Sequence, residues 1–88
     1  MTSRERIHDI KLLVQANLGQ EVSLEVEKGK KRSKQSNGVI KAAFNDVFTV
    51  LVDPGLKSER IESYSYTDVL IEHIEIVFRD TEERLYVS

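Results

Sequence analysis

The chain has no cysteine, so it can form neither disulfide staples nor thiolate metal sites. The same absence fits a reducing cytoplasm, which is the expected compartment. Histidine is almost as scarce: His8 and His73 are the two present. His73-Ile74-Glu75 matches the His-x-Glu of zinc deaminases, but that chemistry needs two cysteine ligands that are not here. His8-Asp9 lacks the further histidines and acids of a metal phosphohydrolase, so both histidines read as surface residues. Gly29-Lys30 is not preceded by the first glycine of a phosphate-binding loop, nor followed by its Lys-Ser/Thr step. No serine sits in a nucleophile elbow. Acidic pairs such as Glu72/Glu75 and Glu82/Glu83 read as solvated charge. The expectation is a protein that is not an enzyme and uses no cofactor or metal.

Long hydrophobic runs are missing too. The longest, around Val47 to Val52, is interrupted by Thr49 and is far too short to cross a bilayer. The first residues, MTSRERIHDIK, are charged throughout and lack the apolar core of a secretory signal. There is no internal repeat, interdomain linker or low-complexity tract. Eighty-eight residues suit one domain, and 40% hydrophobic content suffices for a folded core.

What is present is patterned. Thr2 is placed to cap a helix, with Glu5 three residues on to complete a capping box. Ile7, Ile10, Val14 and Leu18 recur at helical spacing, Leu13 widens the stripe, and Gly19 is placed to stop it. The spacing predicts a helix over about 3–18. The period then drops to two. Val22, Leu24 and Val26 alternate with Glu21, Ser23, Glu25 and Glu27, as in a half-buried strand. After Asn37-Gly38, a strand over Val39 to Phe44 sets Ile40, Ala42 and Phe44 on one face. Asn45-Asp46 turns the chain, and Phe48, Val50 and Val52 align in the return strand. Asp53-Pro54-Gly55 is the strongest turn signal. Ile61 to Tyr66 reads as a fourth strand, Thr67-Asp68 as one tight turn, and Ile74 to Phe78 as a fifth.

One helix and five short amphipathic strands are buried most economically in a small barrel, which also hides most edges. The expected fold is mainly β: an N-terminal helix packed across one end of a five-stranded SH3-like or Sm-like barrel. Within a single domain 1–88, the barrel spans about 21–79 and a loosely held tail spans 80–88. A homodimer is expected, since a small barrel leaves an exposed edge.

Charge is distributed unevenly. Residues 28–34 read KGKKRSK, which places five of the 13 basic residues in seven positions with no acid among them. The rest of the chain carries 8 basic against 15 acidic residues, a formal charge of −7. Lys28, Lys30, Lys31, Arg32 and Lys34 are therefore candidate contacts for an anionic partner, either nucleic-acid phosphate or an acidic protein surface. The alternative is a solvated hairpin arm whose lysines blunt a strand edge. Acidity elsewhere disfavours sequence-blind polymer binding, because the remaining surface repels the polymer. Tyr64 and Tyr66 form the second candidate contact, as an aromatic platform. Their alternative is a roof over the core, with hydroxyls hydrogen-bonded and Asp68 capping the turn.

Several blocks, in order along the chain, resemble the Veg proteins of low-GC Gram-positive bacteria. They are Asp9-Ile10-Lys11, Asn17-Leu18-Gly19, Gly29 with Lys31-Arg32, Gly38-Val39-Ile40, Val47-Phe48, and above all Tyr64-Ser65-Tyr66-x-Asp68-Val69-Leu70. The resemblance runs from about Asp9 to Phe78; Lys28, Lys30 and Lys34 are additions of this chain. It implies a small, non-enzymatic, biofilm-related regulator that relieves a transcriptional repressor by binding it. Gly38-Val39-Ile40-Lys41 through Val50-Leu51-Val52-Asp53 is also similar to the first Sm motif. The Arg/Lys-Gly pair of the second Sm motif is missing, so this likeness implies the barrel without uridine binding.

Overall fold

In the computed structural model, residues 2–28, 31–32 and 35–87 are described, apart from the side chains of Lys28, Lys31 and Arg32. Helix α1 (Ser3–Ala16) is capped by Thr2, whose Oγ1 accepts the Glu5 N–H at 3.2 Å. Its buried stripe is Ile10 and Val14, with Ile7 packed beside them. The stripe is narrower than its spacing predicts, because the helix ends at Ala16 with Asn17 as C-cap. Leu18 then falls in the following turn, 46% exposed, and Leu13 stays 37% exposed. Gly19 does supply the left-handed residue, at φ 86°. Its N–H donates to the Ile40 carbonyl at 2.7 Å, which ties the helix exit to the sheet.

The strands are β1 (Glu21–Lys28), β2 (Lys31–Arg32), β3 (Ser36–Ala43), β4 (Val47–Val52), β5 (Arg60–Ser65) and β6 (Ile74–Phe78). Both β2 and β3 pair antiparallel with β1, forming two pieces of one return arm. The sheet thus has the expected five antiparallel members, with β1 flanked by β3 on one side and β6 on the other. It is unclosed: β5 and β6 are its edges, and helix α2 (Tyr66–Leu70) connects them. One face carries the core. Val22 and Leu24 of β1, Ile40 of β3, Phe48, Val50 and Val52 of β4, and Ile74 and Ile76 of β6 are all buried against α1 and α2.

Three local features differ from the sequence reading. First, β3 begins at Ser36, so Asn37-Gly38 lies inside the strand. Gly38 is needed there for space, since a Cβ would come within 2.8 Å of Val50 Cγ1 and 3.2 Å of the Leu51 carbonyl. Second, the β3–β4 register shifts between Ile40 and Ala42. A bulge inverts the alternation beyond it. Ala43 packs on the core while Phe44 turns out, 54% exposed. Third, the tight turn expected at Thr67-Asp68 is a helix. Ser65 Oγ accepts the Asp68 N–H and Asp68 Oδ2 accepts the Ser65 N–H, each at 3.1 Å. That reciprocal capping box starts α2 and ends β5.

The residues after β6 return along its edge. The Leu85 side chain is 4% exposed and belongs to the core, and Arg84 bridges to Val77 of β6.

Candidate partner-binding site

Of the basic stretch, the backbone of Lys28 ends β1 and that of Lys31 and Arg32 forms β2. The ladder pairs Glu27 with Arg32 and Lys28 with Lys31. Lys30 and Lys34 lie outside the described residues. The arm is anchored at its base, where the Glu27 N–H donates to the His73 carbonyl at 2.8 Å.

The tyrosines are elsewhere. Tyr64 is on β5, separated from β1 by β4 and β3. Tyr66 is the first residue of α2 rather than a strand neighbour of Tyr64. Its ring is 1% exposed and stacks on Phe48 with centroids 5.6 Å apart. Its hydroxyl donates to the Phe44 carbonyl at 2.6 Å. Tyr66 is therefore core and offers no surface to a partner, which corrects its reading as a contact residue. Tyr64 is half-buried and tilted against Phe48, with centroids 6.0 Å apart. Burial pushes both hydroxyls above the ordinary tyrosine range, and for Tyr64 the Glu62 carboxylate adds to the effect. Tyr66 fits the roof reading, with its hydroxyl hydrogen-bonded and Asp68 capping the turn.

The bulge explains part of the arrangement. By turning the Phe44 side chain outward, it leaves the Phe44 carbonyl placed to accept the Tyr66 hydroxyl. The signal for α2 was present in the sequence as Ser65-x-x-Asp68, a Ser-x-x-acid pattern. No corresponding local signal marks Leu85, whose partners on β6 are distant neighbours in a different element.

The histidines take no part in a cluster. His73 is exposed in the turn before β6, His8 is exposed on α1, and the Glu75 carboxylate is engaged by Arg84 at 3.1 Å. Among the described residues no three His, Cys, Asp or Glu side chains are grouped to hold a metal ion. Nor is any helix among them long and apolar enough to cross a membrane.

These features define a small, mainly β domain led by a helix, with a cationic hairpin arm on an otherwise acidic body. The chain belongs to the family described as biofilm formation stimulator VEG, whose model matches residues 5–77. That span agrees with the resemblance read from about Asp9 to Phe78. Comparison with the curated proteins finds no match.

Proposed function

We propose that this protein is a small, non-enzymatic, cytoplasmic regulator that promotes transcription of biofilm-related genes by binding a transcriptional repressor. The family match over residues 5–77 carries this reading, because the family's description names a stimulated process and no reaction. The contact is the basic arm, through Lys28, Lys30, Lys31, Arg32 and Lys34. Five basic residues in seven positions, with no acid among them, support an acidic patch on the partner. The acidic remainder of the chain orients the encounter, since it repels an acidic partner everywhere except at the arm.

The test is made in the source cell. Deleting the gene lowers transcripts of biofilm-related genes, wild-type protein restores them, and Lys30→Ala/Lys31→Ala/Arg32→Ala does not. Transcript levels indifferent to the deletion would end the proposal.

A second reading rests on the density of basic residues in the arm, which favours phosphate. If all five contact a nucleic-acid backbone, log affinity falls with log salt at a slope of about −3.5 on single strands or about −4.5 on duplex. The triple-alanine variant then loses most of that slope. An unchanged slope excludes the arm as the phosphate contact.

A further inference from the structure

The edge of β6 that does not pair with β1 is occupied by the chain's own C-terminal segment. The Leu85 N–H donates to the Ile76 carbonyl and the Phe78 N–H to the Glu83 carbonyl, each at 2.9 Å. The Leu85 side chain is buried in the same cluster as Val69 of α2 and Ile74 and Ile76 of β6, and with Tyr86 it closes one side of a small slot between α2 and β6. Acidic side chains rim the slot. Arg84 forks onto the Glu75 carboxylate, Nε to Oε1 at 3.2 Å and Nη2 to Oε2 at 3.1 Å, and Nη1 reaches Glu72 at 3.8 Å. This is how an extended peptide joins a sheet edge: ladder bonds hold the strand, and side-chain pockets choose the sequence.

The attachment is confined to one edge. It consists of three backbone bonds to β6, the buried Leu85, Tyr86 packed partly against the core, and one surface fork. The chain enters it through Glu82 at φ 61°, a left-handed conformation that costs a non-glycine residue energy. The segment also lies beyond residue 77, where the family match ends.

The geometry points to the α2–β6 slot as a docking groove for an extended segment of a partner protein that carries a basic residue directly followed by leucine. The chain's own Arg84-Leu85 covers the groove in the free protein. The leucine pocket and the two-carboxylate rim give that sequence its fit. The inference does not depend on the regulatory role proposed above.

Arg84→Glu sets an acid against Glu72 and Glu75, loosening the cover at an exposed position while leaving Leu85 in place. A synthetic peptide of residues 82–87 is then titrated into full-length wild-type and Arg84→Glu chains, following the methyl resonances of Val69, Ile74 and Ile76. The peptide is expected to bind the variant about tenfold or more tightly than the wild type. A peptide carrying Leu85→Ala should lose at least about tenfold of that affinity. Equal binding to both chains, or none to either, overturns the proposal. A concentration-dependent doubling of mass in the variant without peptide uptake overturns the partner assignment and gives the groove to a second copy. Hydrogen exchange on the wild-type chain supplies an independent check. The Leu85 and Phe78 amides should exchange at least about tenfold faster than the slowest amides of β3 and β4. Equal protection would make the segment a permanent part of the core and sink the idea.

Discussion

Gly38 sits where β3 is pressed between β1 and β4, paired with Val22 on one side and Val52 on the other. Its φ is not the constraint; the missing Cβ is. Gly38→Ala forces Val50 and the Leu51 backbone to shift, and overpacking of this kind costs about 1–3 kcal/mol, measurable by denaturant unfolding. Tyr66 makes a different residue-scale case. Removing its hydroxyl loses one hydrogen bond to Phe44 while the ring contact with Phe48 remains, so Tyr66→Phe should cost about 1 kcal/mol at neutral pH. Its hydroxyl titrates above the ordinary value of 10.0, because burial disfavours the phenolate. A group whose folded value is raised contributes its stability fully below the unfolded value and loses it as pH climbs through the folded one. Stability should therefore fall as pH rises above about 10. In Tyr66→Phe that alkaline loss should be shallower, as read from unfolding midpoints across the pH series. An equally steep loss in the variant would place the titrating group elsewhere, with Tyr64 the next candidate.

Among the elements, α2 decides how the sheet ends. It interrupts what reads as a continuous alternating strand, and the Ser65–Asp68 capping box marks the switch. Ser65→Ala should cost about 1 kcal/mol, since a capping serine satisfies a helix N–H that otherwise lacks a partner. An unchanged unfolding midpoint would show that tertiary packing of Tyr66 and Val69 holds α2 without its cap. This element shows why some of the fold was legible and some was not. Strands β1, β4 and β6 bury every second residue against one face, so alternation alone located Val22, Leu24, Phe48, Val50, Val52, Ile74 and Ile76. In β3 the same rule assigned Phe44 to the core. The extra residue at the bulge shifted the parity, and nothing within the strand announces a bulge before its partner is in place. The C-terminal segment failed for a related reason. A single leucine among charged and polar neighbours has no period, and its burial depends on α2 and on an edge of β6 whose Ile76 lies nine residues earlier.

At the scale of the whole molecule, the core lies between the two helices and one face of the sheet, and none of its buried residues comes from the basic stretch 28–34. Lys30→Ala/Lys31→Ala/Arg32→Ala should therefore leave unfolding free energy within about 0.5 kcal/mol of wild type, as surface substitutions do. A larger loss would mean that the arm supports the fold and that binding defects in the variant are indirect. The candidate site was legible in the sequence as charge density at Lys28 to Lys34, because clustering of like charge needs no tertiary information. The tyrosine half was misread because β-alternation was extended one residue past Ser65, into a helix that turns Tyr66 inward. The most direct measurement is capture from nuclease-treated lysate on immobilised protein, comparing wild type with the triple-alanine variant. The account predicts that a transcriptional repressor is retained by the wild type and lost by the variant. Recovery of nothing but residual nucleic acid, or equal retention of the repressor by both proteins, would contradict it.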